Sequence, residues 1–127
     1  MDILLVDDNE AYLRLVEEAL GENGYSVHTA QDGAEGCEVL ANTDIDLIIS
    51  DIRMPRYDGV KLHAFAREME KYKNTVFIFI SGLKEAYVNT MNLDPKCDYL
   101  LDKTTPLKEI VKLVDSLIFG KLEGEWI

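Results

Sequence analysis

Five short apolar runs punctuate the chain: Ile3–Val6, Tyr25–Ala30, Ile45–Ser50, Thr75–Ile80 and Tyr99–Leu101. Each is rich in Ile, Val, Leu, Phe or Tyr and predicts a β-strand. The third and fourth are apolar at consecutive positions, as strands covered on both faces require. The stretches between them carry helical spacing. Leu13, Val16 and Leu20 recur at three and four residues, and Gly21 with Gly24 supplies a stop. Residues 34–41 and 60–72 read as the second and third helices and 84–92 as a shorter fourth. Leu107, Ile110, Val111, Val114, Leu117 and Ile118 make the apolar stripe of a fifth. Strand and helix therefore alternate five times. That order predicts an α/β fold with a parallel sheet, because a right-handed crossover helix is the usual return to the starting edge. No linker, low-complexity tract or repeat beyond the β-α unit is visible.

With 127 residues the chain fits one domain of the common size of about 100–150 residues. The expected division is a domain over residues 1–120, with 121–127 a C-terminal tail or the start of a linker. Thirteen Lys and Arg face 24 Asp and Glu, a formal charge of −11. Such a surface repels phosphate backbones and argues against direct nucleic-acid binding. The N-terminus lacks the basic start and long apolar segment of a secretory signal. No stretch approaches the roughly 20 apolar residues of a membrane span, so a cytoplasmic protein with no membrane partner is expected. Cys37 and Cys97 are too few and too far apart for a disulfide framework or a zinc site. His28 and His63 lack ligand spacing and read as ordinary surface or half-buried residues.

In open α/β sheets, ligands bind outside the carboxyl ends of the strands, where the strand order reverses. The first strand ends in Asp7-Asp8, the third in Asp51, the fourth in Ser81 and the fifth in Lys103. If the first and third strands are neighbours, three carboxylates stand side by side. Each pair would then repel by about 4 kcal/mol at 4 Å for an effective dielectric of 20. A protonated carboxyl, the lysine ammonium or a divalent cation could offset this. Hard oxygen ligands with room for water favour Mg²⁺, which takes one or two carboxylates and completes its shell with water and phosphate. A cation there would let Asp51 attack a phosphoryl donor as a carboxylate nucleophile. Metal and Lys103 would neutralise the phosphoryl oxygens, and the Ser81 hydroxyl would donate to one of them.

The segments "VDDN" at 6–9, "SDIRMPRYDG" at 50–59, "ISG" at 80–82 and "DYLLDK" at 98–103 together closely resemble the receiver domain of two-component response regulators, the CheY-like superfamily. The resemblance spans about residues 1–120. It implies a doubly wound, flavodoxin-like sheet of five parallel strands in the order 2-1-3-4-5, with five helices. By the same resemblance Asp51 accepts a phosphoryl group from a sensor histidine kinase or histidine phosphotransfer protein. Asp8 and Asp51 would be direct ligands of Mg²⁺, for which Mn²⁺ can substitute, together with the backbone carbonyl of Arg53; Asp7 would act through water. Ser81 and Lys103 take the family's phosphate-sensing positions. Phosphorylation would switch the face built from the fourth helix, fifth strand and fifth helix, roughly residues 83–119, for a downstream protein target. Such a domain is not an enzyme in the usual sense, since it catalyses only its own phosphorylation and dephosphorylation. Pro55 and Asp58-Gly59 read as structural, the proline fixing a turn and Asp58 capping the third helix.

Three positions depart from the family pattern. Leu100 stands where the family places its switch aromatic, with Tyr99 one place earlier on the opposite face. Thr104 follows Lys103 in place of a proline, which leaves the isomer of that peptide bond and the stiffness of the loop open. Gly82 stands where alanine is frequent. Two readings beside a stand-alone phosphorylation switch are a receiver cut from a larger regulator with an output domain, and a metal-dependent aspartyl-phosphate phosphatase. The phosphatase generally needs a second acid two residues after the nucleophile, where this chain has Arg53. A flavodoxin-like nucleotide binder needs a Gly-, Ser- or Thr-rich phosphate loop, where this chain has Asp7-Asp8-Asn9.

Overall fold

The structure is a computed structural model and describes residues 1–82 and 93–123. The helix expected over 84–92 lies outside the described residues. The described residues form five strands: β1 (Asp2–Val6), β2 (Ser26–Ala30), β3 (Leu47–Ser50), β4 (Val76–Ser81) and β5 (Asp98–Asp102). All pair in parallel in the order β2-β1-β3-β4-β5, so β1 and β3 are neighbours where the order reverses. The described helices are α1 (Glu10–Glu22), α2 (Gly33–Asn42), α3 (Gly59–Glu68) and α4 (Leu107–Glu123).

Both faces of the sheet are covered, and the period of two along each strand assigns the side chains. Leu4, Val6, Ile48, Phe77 and Phe79 pack with Leu40 of α2 and with Leu62 and Ala66 of α3. Their strand neighbours Ile3, Leu5, Leu47, Ile49, Ile78 and Ile80 pack on the other face. There they meet Leu13, Val16 and Leu20 of α1 and Ile110, Val114 and Ile118 of α4. This alternation explains why the central strands read as unbroken apolar runs. Leu100 belongs to the α2–α3 side and Tyr99 to the α1–α4 side, the opposite faces that adjacent positions on a strand dictate.

The third helix is shorter than its apolar spacing predicts. It ends at Glu68, Met69 is extended (φ −82°, ψ 127°), and a 3₁₀ turn follows over Glu70–Tyr72. The cause is a long-range contact. Tyr72 is buried, its hydroxyl donates to the carbonyl of Leu40 at 2.9 Å and accepts from the Ile45 N–H at 3.3 Å, and its own carbonyl accepts from Arg67 at 2.8 Å. The phenol is thereby held against the end of α2, and the chain leaves the α-helical path between Glu68 and Tyr72.

Candidate phosphoacceptor and cation site

At the end of β1 the pairing with β2 continues one residue further, the Asp7 N–H donating to the Ala30 carbonyl. This holds Asp7 in the interior, 2% exposed, while Asp8 is exposed. One Asp7 carboxylate oxygen accepts from the Asn9 N–H at 2.8 Å, and the Asn9 side chain caps α1 by accepting from the Tyr12 N–H. Beside it the Asp51 N–H donates to the Val6 carbonyl, and the Ser50 hydroxyl donates to the Asp51 carbonyl at 2.7 Å. The β1–β3 pairing thus carries Asp7 and Asp51 out of the sheet side by side.

After Asp51 the chain turns back on itself. Tyr57 N–H donates to the Pro55 carbonyl across Arg56, whose φ of 65° marks a tight three-residue turn. Gly59 N–H donates to the Ile52 carbonyl, and a Cβ on Gly59 would stand 2.1 Å from the Asp51 carbonyl oxygen, so only glycine permits this approach. Asp58 caps α3, accepting from the Lys61 N–H at 3.0 Å, in agreement with its structural reading. Arg53 lies in this loop with its side chain exposed.

The far wall comes from β4 and β5. Ser81 is buried at the end of β4, and its carbonyl accepts from the Lys103 N–H, which ties the two residues together through the main chain. The Lys103 ammonium reaches back to the acids, 2.9 Å from a carboxylate oxygen of Asp7 and 2.9 Å from one of Asp51. No peptide bond among the described residues is cis, so Lys103–Thr104 is trans. The turn that proline usually builds is made instead by Asp102. Its carboxylate accepts from the Thr104 N–H and hydroxyl, both at 2.9 Å, and its carbonyl accepts from the Thr105 N–H.

Asp7, Asp8 and Asp51 each offer a carboxylate oxygen within 4.8 Å of the others. Burial pushes the Asp7 carboxyl above its ordinary range, opposed by the Asn9 N–H and Lys103 and reinforced by the charge of Asp51. Lys103 is raised as well, for a different reason: burial would lower it, but its bonds to Asp51 and Asp7 outweigh this and hold it above its ordinary value. The site thus has more negative charge than one ammonium neutralises. Three converging carboxylates, one of them open to water, fit a hard divalent cation that keeps part of its hydration shell.

All the residues singled out from the strand ends therefore converge on one place. The two histidines lie elsewhere: His28 is 3.0 Å from Asp2, and His63 is 2.9 Å from Asp98. Two further residues at the site are not among those singled out from the strand ends. Asp102 shapes the loop after β5, and Tyr12, in the first turn of α1, has its ring centroid 5.0 Å below the Lys103 ammonium. Tyr12 follows the cap Asn9 by three residues; a helix entered directly from an acidic strand end must carry its first turn over that end.

The response regulator receiver domain family matches residues 3–115. Among curated relatives, the transcriptional regulatory protein GlrR of Escherichia coli is 46% identical over 80 residues, which cover 63% of this chain and 18% of that protein. The response regulator MprA of a Mycobacterium species is 31% identical over 117 residues, 91% of this chain and 50% of the relative. The chain thus spans at most about half the length of these relatives. Among solved structures, the response regulator protein TrrA of Thermotoga maritima, in complex with Mg²⁺-BeF, superposes with a TM-score of 0.79. It is 28% identical, with 91% of this chain and 97% of that one covered. Strand order, the acids at the β1 and β3 ends and the lysine after β5 are the features of one protein class, and this chain belongs to it: it is a receiver domain of the two-component response regulator family.

Proposed function

We propose that Asp51 is the phosphoacceptor of a cation-assisted phosphorylation switch. The observation that carries this reading is the Lys103 ammonium bridging Asp7 and Asp51 at 2.9 Å each, with the Asp8 carboxylate exposed beside them. In the step proposed, an Asp51 carboxylate oxygen attacks the phosphorus of a phosphoryl donor. A new P–O bond forms, the donor's bond to phosphorus breaks, and the leaving group keeps that electron pair. With a phosphohistidine donor the leaving group is the imidazole; with a small acyl phosphate it is a carboxylate.

Asp8, Asp51 and the Arg53 carbonyl would hold Mg²⁺, or Mn²⁺ in its place, with Asp7 acting through water. When bound, the cation supplies charge neutralisation for the phosphoryl oxygens. Lys103 supplies a fixed positive charge on the same oxygens. Ser81 stands at the end of β4, where its hydroxyl would donate to one of them. The buried Asp7 keeps Lys103 aimed at Asp51.

The donor proposed is a phosphohistidine on a sensor histidine kinase or phosphotransfer protein, and the readout a downstream protein that meets the β5–α4 face. No helix among the described residues is long and apolar enough to cross a membrane. Incubation with Mg²⁺ and acetyl phosphate should add one phosphoryl group, seen by intact mass, and Asp51→Asn should abolish it. An unmodified wild-type chain, or full labelling of the Asn variant, would refute the assignment.

A further inference from the structure

Lys103 is held on three sides, and only two of them are acids. Asp7 and Asp51 take its hydrogen bonds, and the ring of Tyr12 lies beneath the ammonium at 5.0 Å. Tyr12 brings no hydrogen bond of its own: its hydroxyl is buried and has no partner among the described residues. What it offers the site is the face of its ring, whose negative quadrupole attracts a cation.

The ring is placed by the same short segment that places Asp7. Asn9 donates its N–H to the Asp7 carboxylate, and its side chain accepts from the Tyr12 N–H. Acid, helix cap and aromatic ring therefore keep a constant relation over six residues. On the reading of Asp51 as phosphoacceptor, phosphorylation converts one of the two carboxylates that anchor Lys103 into an acyl phosphate. A bound cation would compete for the other. The ring is the one group of the three that neither event changes chemically.

We propose that Tyr12 is a positioning residue for Lys103: its ring seats the ammonium so that it stays aimed at Asp51 and at the phosphoryl group placed there.

Phosphorylation rates with Mg²⁺ and acetyl phosphate, read by intact mass, test this in wild type, Tyr12→Leu, Tyr12→Phe, Lys103→Ala and the Tyr12→Leu/Lys103→Ala pair. Tyr12→Leu should slow labelling roughly three- to tenfold, as the loss of a partly buried cation–ring contact implies. Tyr12→Phe should recover most of that rate, since the ring is restored and the hydroxyl is not. In the Lys103→Ala background Tyr12→Leu should cause no further slowing, because the group it positions is gone. Equal slowing with and without Lys103, full speed in Tyr12→Leu, or Tyr12→Phe as slow as Tyr12→Leu would each overturn the proposal. A carbon-correlated proton spectrum tests the seat without any phosphorylation. The Lys103 ε-methylene signals should be shifted upfield by the ring in wild type and Tyr12→Phe; ordinary lysine positions in both would overturn it. Failure of wild-type labelling would remove Asp51 as acceptor, while this spectrum still decides the seating of Lys103.

Discussion

Asp51 and Gly59 are eight positions apart and in contact through their backbones. A methyl group on Gly59 would meet the Asp51 carbonyl oxygen at 2.1 Å and the Ile52 Cα at 3.1 Å, and neither main-chain atom can swing aside as a long side chain would. Gly59→Ala should therefore cost about 3 kcal/mol, at the upper end for overpacking, as the fall in urea midpoint will measure. A substitution at Gly82, which has open space around its Cβ position, should cost far less. The Asp-Gly pair is legible in the sequence as a turn, and Asp58 as a cap. That the glycine is needed to let the Asp51 carbonyl pass is not legible, because it depends on where the loop folds back.

Between elements, one buried carboxylate ties α3 to the start of β5. Asp98, at the start of β5, accepts from the Asp94 N–H at 2.7 Å and pairs with His63 and Arg67 of α3. Burial would raise its carboxyl, but the Asp94 N–H, Arg67 and His63 outweigh burial and hold it below the ordinary value of 3.8. A carboxyl depressed in the folded state contributes stability that is present above 3.8 and is lost as pH falls through its folded value. Urea titrations at a series of pH values should show this: wild type loses stability on acidification below about pH 4 more steeply than Asp98→Asn does. The Asn variant should also be the less stable of the two at pH 7. Nothing in the sequence pairs His63 with Asp98, 35 positions away, and only the approach of α3 to the start of β5 brings them together. The same holds for Met69, where helical spacing continues but the burial of Tyr72 stops the helix.

For the molecule as a whole, the acidic site is a place where folding is opposed. Burial and the neighbouring Asp51 charge both oppose ionisation of Asp7, which the Asn9 N–H and Lys103 offset in part. A cation that binds the folded chain and not the unfolded one stabilises it by mass action, by about 2.7 kcal/mol at one hundred times its dissociation constant. Thermal melts should therefore shift upward by several degrees on adding Mg²⁺. In Asp8→Ala that shift should shrink to a small fraction, while the melting temperature without Mg²⁺ changes little, because Asp8 is exposed. An unchanged Mg²⁺ shift in Asp8→Ala would remove Asp8 from the ligand set.

The period of the apolar positions alone determined five strands, the described helices to within a few residues of their ends, and a sheet covered on both faces, because those choices depend on which neighbours along the chain are apolar. The acids, serine and lysine at four strand ends were legible for the same reason, since a parallel sheet puts every strand's carboxyl end on one side. The tertiary structure decided what those groups do to one another. Lys103 and Asp7 are 96 positions apart, yet their contact, the Tyr12 ring under the ammonium and the Asp102 turn that replaces a proline set the charge and aim of the site. Such contacts are made by elements meeting across the sheet, and the energies that select them are packing and Coulomb terms that no local pattern carries.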